Sequence, residues 1–200
     1  MHRDLVMPID ESTVRALRVG DTFHLTGTLY TARDQAHLLM LERHDSGSNM
    51  LFDPSPMALF HCGPVMAKKH DGWKVIAAGP TTSMRMNAFE DRFLEIFRPR
   101  ILIGKGGMGD RTSAALHSVG AVYTHYTGGA GALGAQQIES VLGVYWLEEL
   151  GMAEAVWLLK AKRFGPLLVT MDAEGGTLYK DLDRTIDKNV KAIFDRIDST

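Results

Sequence analysis

Short apolar runs that suit strands alternate along this chain with amphipathic segments that suit helices, and no linker interrupts them. Met57 to His61, Trp73 to Ala77, Ile101 to Ile103 and Ala121 to Tyr123 read as strands. Arg33 to Arg43 reads as a helix with Ala36, Leu39 and Met40 on one face and Arg33 and His37 on another, and Asn87 to Phe97 as a helix presenting Phe89, Phe93, Leu94 and Phe97. Asp10 opens a short helix from Glu11 to Arg18 that Gly20 stops, a strand carrying Phe23, Leu25 and Leu29 follows, and Asp110 caps a helix to about Val119. Past Gly128 come three strand-like stretches, Val141 to Trp146, Ala155 to Ala161 and Leu167 to Met171. A terminal helix then runs from about Lys180 to Ile197, with Ile186, Val190, Ile193 and Phe194 apolar. This mixture implies one α/β layered domain over residues 1–200, and a chain of 200 residues with 45% apolar content can bury a full core without staples.

Several function classes drop out. The apolar runs fall far short of the roughly 18 residues a membrane span requires, and the N-terminus has no basic-then-apolar leader, so the expected address is cytoplasmic. A net charge of -2 and no basic cluster longer than Lys68-Lys69 argue against nucleic acid as a partner. Cys62 is the only cysteine, so the chain can form no internal disulfide and cannot by itself hold an iron–sulfur cluster, which needs three or four thiolates. The eight histidines show no metal-ligand spacing, and no metal site is expected.

Three loop-to-helix junctions carry the chemistry. Gly104-Lys105-Gly106-Gly107-Met108-Gly109 matches a dinucleotide-binding string, but the window about 20 residues on, where a ribose-binding acid belongs, holds Ala121 to His125. Lys105 is not followed by Ser or Thr, so it is no phosphate-binding P-loop either. What remains is an anion site made of backbone N–H groups and an ammonium, although a glycine turn with a solvated lysine fits the same string. In Gly79-Pro80-Thr81-Thr82-Ser83-Met84-Arg85 the hydroxyls suit N-cap chemistry, and Arg85 enters the first turn of a helix. A cation there costs roughly 0.3–1 kcal/mol against the helix dipole, which suggests an anionic ligand. Arg33, after Thr31-Ala32, repeats the oddity. Together the three cations suit a substrate with two carboxylates.

The motifs Thr31-Ala-Arg-Asp-Gln-Ala-His37, Gly63-Pro64, Gly79-Pro-Thr-Thr-Ser-Met-Arg-Met86, Ile103-Gly-Lys-Gly106, Gly128-Gly-Ala-Gly-Ala132, Gly151-Met-Ala-Glu-Ala-Val-Trp157 and Leu178-Tyr179 occur in this order. From Val19 to about Asp187 the chain resembles the β-subunit, or C-terminal domain, of class I fumarate hydratases and the related L(+)-tartrate dehydratases. The resemblance implies a swivelling β/β/α domain that docks on an α-subunit, whose own cysteines carry a 4Fe–4S cluster. An α2β2 assembly is expected, or a homo-oligomer when isolated. It further implies Arg33, Arg85 and Lys105 as carboxylate-binding cations and Thr81 as the general base in reversible hydration of fumarate. Asp34, His37 and Thr82 take supporting parts. A threonine hydroxyl is far too weak an acid to act as a base unaided and would need a carboxylate from the α-subunit. Ser83-Met84, and Asn87 where an acidic residue is expected, depart from the family pattern and blur substrate preference.

Tartrate or another hydroxy acid is the alternative substrate, because the clamp would be the same. A dicarboxylate-binding module without a cluster partner is a second reading, and an assembly role with Thr127 to Gly134 as a subunit contact is a third. The cysteine count yields the first prediction: anaerobic reconstitution of this chain alone should leave no stoichiometric iron or sulfide, and a stably bound cluster would contradict it.

Overall fold

The computed structural model describes residues 2–198. In chain order the elements are β1 (His2–Val6), α1 (Glu11–Arg15), β2 (Thr22–Thr31), α2 (Asp34–Asp45), β3 (Ala58–Phe60), β4 (Val65–Lys69) and β5 (Gly72–Ala77). A 3-10 turn (Ser83–Met86) leads to α3 (Glu90–Phe97), β6 (Ile101–Gly104), α4 (Asp110–Val119), β7 (Val122–His125), α5 (Gly131–Gln136), β8 (Ile138–Tyr145), α6 (Leu147–Leu150), β9 (Val156–Met171) and α7 (Leu178–Asp198).

Strands β2, β3, β6 and β7 lie side by side and parallel. The antiparallel β9 pairs with β7 along one edge and with β2 along the other, closing five strands into a barrel-like sheet. β1 adds to β2, β8 adds to the first half of β9, and β4 and β5 form a separate hairpin. Alternate residues of the parallel strands serve two cores. Phe60, Ile101, Ile103 and Val122 point into the barrel with Phe23, Leu29, Trp157 and Leu167. Leu59, Leu102 and Tyr123 point outward, under Met40 of α2, Phe93 of α3 and Leu116 of α4. Burial on both faces is why these strands read as unbroken apolar runs.

The α/β architecture is as expected, with local differences. The two stretches expected at Ala155 to Ala161 and Leu167 to Met171 are one 16-residue strand, β9. Pro166 looks like a breaker, yet it falls where β9 leaves β8 and takes up β7, opposite a register shift in β2 between Phe23 and Leu25, so its missing N–H breaks no ladder. Gly109, not Asp110, is the N-cap of α4, and α3 begins at Glu90, after the 3-10 turn. The terminal helix forms, but Ile186, Val190, Ile193 and Phe194 are 43–59% exposed.

The turn expected from Gly128 forms at Gly128 and Gly129, and beyond it Gly131 and Gly134 seat α5 against the strand that leads into the Gly79 loop. Ala78 N–H donates to Gly131 O at 2.8 Å, and a Cβ on Gly134 would collide with the Ala78 carbonyl. Gly134→Ala should therefore lower stability by about 1–3 kcal/mol in urea denaturation of the full chain, and an unchanged midpoint would contradict this docking.

Candidate active site

The three motifs meet at the C-terminal ends of the parallel strands, the edge where open α/β sheets place ligands. Arg33 lies just past β2, His61 and Cys62 follow β3, and Lys105 follows β6. Ladder bonds carry the strand ends forward: Ala32 N–H donates to Phe60 O (3.1 Å), and His61 N–H to Ile103 O (2.8 Å). The Pro80–Ser83 segment crosses these ends. Pro80 pairs with Cys62, Thr81 N–H donates to His61 O (2.7 Å), Thr82 pairs with Lys105, and Ser83 N–H donates to Lys105 O (3.0 Å). Thr81 is half-buried, and its hydroxyl has no hydrogen-bond partner among the described residues.

The cations differ in how they are held. Arg85 makes a two-point contact with Asp34, Nε to Oδ1 at 3.1 Å and Nη2 to Oδ2 at 2.6 Å, which joins the second motif to the first. Arg33 Nε lies 3.1 Å from Glu154 Oε1, and Glu154 Oε2 accepts the Gln35 N–H at 3.1 Å. Glu154 thus supplies the capping bond that Arg33, as N-cap of α2, does not make, and adds a second carboxylate beside Asp34 at that helix start. Contrary to expectation, Arg85 is not in the first turn of α3 but in the 3-10 turn five residues before it, so the oddity of a cation at a helix start remains only at Arg33, where Glu154 answers it. Lys105 is different. Among the described residues no carboxylate lies within ion-pair distance of it, and it lines a cavity of about 410 Å³ with His125, Tyr126, Thr127 and Gly128. His125 Nε2 contacts Gly106 O at 2.7 Å and the Tyr179 hydroxyl, which places Tyr179 at the same edge.

Thr82 is exposed and precedes the 3-10 turn without capping it, so the capping part expected of its side chain is not seen. His37, four residues on from Arg33, turns into the core. It is fully buried, its Nδ1 meets Arg33 O at 2.8 Å, and its ring packs 4.3 Å from that of Phe93. Burial pushes His37 down to about 4, only partly offset by Glu90. Cys62 is buried and its thiol is pushed far up by burial, so it stays protonated.

Sequence reasoning missed His61, Ser83, Glu90 and Glu154. Glu90 did leave a signal: with Phe93, Leu94 and Phe97 it makes an i, i+3, i+4, i+7 set, a carboxylate on an apolar stripe. The stripe is buried with Glu90 in it. Two imidazoles face the carboxylate, His61 Nε2 at 3.3 Å and His37 Nε2 at 3.6 Å. Burial opposes its charge, but they hold it below the usual range. Glu154 stands in the Gly151–Trp157 motif, but nothing there pointed to Arg33, 121 residues away in sequence.

Residues 2–182 match the fumarase C-terminus family. The chain belongs to that family. Among its relatives, the L(+)-tartrate dehydratase subunit beta of Escherichia coli is 38% identical over 90% of this chain and 88% of its own length. A Methanocaldococcus jannaschii protein provisionally named as the same subunit is 40% identical over 89% of this chain and 91% of its own. A Geobacillus stearothermophilus protein provisionally named class I fumarate hydratase is 41% identical over 90% of this chain, which matches 34% of that longer protein. The family match stops just inside α7, so the exposed apolar stripe lies beyond it.

Buried, neutral His37 makes acid destabilising. Its folded value lies below the unfolded one, so its stabilising share is present above about pH 6.5 and lost as pH falls toward 4. Between pH 7 and 5 the wild-type chain should lose about 2 kcal/mol more stability than His37→Gln, measured by urea denaturation at each pH. Parallel losses would place a charged imidazole in the folded core.

Proposed function

We propose that this chain is the β-subunit of a two-subunit hydro-lyase that adds or removes water across a C=C bond of a four-carbon dicarboxylate. The observation that carries the reading is the convergence of Arg33, Arg85, Lys105 and Thr81 at one sheet edge, in a chain 38–41% identical to proteins named as tartrate dehydratase subunits and a fumarate hydratase. Fumarate with malate, and L(+)-tartrate, are the two substrate choices those names offer, and both present the same pair of carboxylates.

Lys105, with no carboxylate within ion-pair distance among the described residues, is the first anchor for a substrate carboxylate. Arg85 and Arg33 stand beside it, pre-oriented by Asp34 and Glu154; Arg85 turns to the substrate as its pair loosens, and Arg33 orients the substrate from within its own pair. The Thr81 hydroxyl handles the proton at the substrate carbon, with a carboxylate of the α-subunit as its base partner. A 4Fe–4S cluster fits nothing in this chain, whose one thiol is buried and protonated. The proposal assigns the cluster to the α-subunit, where it would supply Lewis-acid chemistry toward the hydroxyl that enters or leaves.

The test is steady-state kinetics, on fumarate, malate and tartrate, of the chain co-expressed anaerobically with its α-subunit. Thr81→Ala should lower kcat at least ~100-fold with KM within a few fold, and Thr81→Ser should keep more activity. Thr82→Ala, at an exposed side chain without a capping bond, should change neither activity nor, by more than about 0.5 kcal/mol, stability. Equal losses at both threonines, or a near-normal kcat in Thr81→Ala, would remove Thr81 from the chemistry.

A further inference from the structure

His61 grips the Thr81 loop twice. Its carbonyl accepts the Thr81 N–H at 2.7 Å, and its ring Nδ1 lies 2.8 Å from Ser83 Oγ. Ser83 in turn donates its N–H to Lys105 O at 3.0 Å. The tripeptide Thr81–Ser83 is therefore tied at both ends to one residue, and through Ser83 to the backbone of Lys105. The fit is tight, since a Cβ on Gly104 would collide with Ser83 Oγ.

The ring can hold Ser83 only in the right orientation and tautomer. Its Nε2 faces Glu90 Oε2 at 3.3 Å, an oxygen that His37 Nε2 also faces at 3.6 Å, and the His61 Nε2 atom has no other polar partner among the described residues. A neutral imidazole carries one N–H. Facing a carboxylate, that proton belongs on Nε2, which leaves Nδ1 to accept the Ser83 O–H. Glu90, His61 and Ser83 are all fully buried, so this Ser–His–Glu series gives no substrate access to the hydroxyl and cannot serve as a nucleophile.

We propose that Glu90 and His61 are positioning residues: Glu90 fixes the His61 ring, and His61 fixes the backbone from which Thr81 and Lys105 reach the substrate. The consequence for turnover rests on the hydro-lyase reading, whereas the mechanical link does not.

Three variants of the co-expressed complex test it, with Leu94→Ala, on the same helix, as a control that loosens the core without touching the link. Glu90→Leu should lower kcat/KM about 10–100-fold, since a displacement near 1 Å has effects of that size. Removing one partner of a buried polar set also lowers the thermal midpoint, as Leu94→Ala does, so both variants are assayed well below their midpoints, where only Glu90→Leu should lose kcat/KM. Glu90→Gln, whose carbonyl can still accept from Nε2, should recover part of the loss. Ser83→Ala, which cuts the link at its far end, should resemble Glu90→Leu. Wild-type kinetics in folded Glu90→Leu and Ser83→Ala, or losses that only track the folded fraction as in Leu94→Ala, would overturn the proposal.

NMR of the full chain reads the link without any activity. His61 should carry its ring proton on Nε2 in the wild type, and Glu90→Leu should disturb that state and shift the Thr81 and Ser83 amides. If the complex hydrates no dicarboxylate, the hydro-lyase reading fails, but unmoved amides are what would refute the link. Stoichiometric divalent metal in the wild-type chain that Glu90→Leu loses would also overturn it, since both Nε2 atoms and the carboxylate would then be ligands.

Discussion

The parallel pairing of β2, β3 and β6 is the constraint on which the site depends. Parallel strands end together, so residues 33, 61 and 105, far apart in sequence, emerge at one edge. Main-chain bonds from a crossing segment then bring Thr81 and Thr82 beside Lys105, and the His61 ring holds Ser83 next to them. Closure by β9 keeps that edge rigid, because it leaves β2 and β7 no free side on which to splay.

Electrostatics divides the cations by how readily each is released. The Arg85 side chain is 50% exposed, and a surface pair such as its contact with Asp34 is worth about 0–1 kcal/mol, so redirecting the guanidinium costs little. Arg33 and Glu154 are 21% and 18% exposed, and Glu154 also caps α2. That pair resists separation more, and Arg33 is better suited to orienting a ligand from within the pair than to leaving it. Lys105 has no such competitor among the described residues. The order Lys105, Arg85, Arg33 follows for readiness to bind an anion.

What the sequence made legible was local. The Arg33, Thr81 and Lys105 motifs are contiguous strings beside strands, and the strands themselves are apolar runs, so both could be read in place. Contacts between distant segments could not: Glu154 neutralises Arg33 from the loop before β9, and His61 meets Glu90 only because β3 and α3 pack together. Pro166 split one strand into two because its tolerance depends on which neighbour lies beside it. In α7 amphipathicity shows which face could be buried, not whether anything covers it, and Ile186 to Phe194 stay exposed.

The claim at the centre of this account is that a dicarboxylate binds across the ends of β2, β3 and β6. An anaerobic crystal structure of the assembled enzyme with tartrate, or with a non-reacting dicarboxylate, tests it directly. A carboxylate oxygen should lie within hydrogen-bond reach of Lys105 Nζ, with the reacting carbon beside Thr81 Oγ1 and Arg85 turned from Asp34 toward the ligand. A ligand bound wholly on the partner, with Lys105 in solvent and Arg85 still on Asp34, would contradict it.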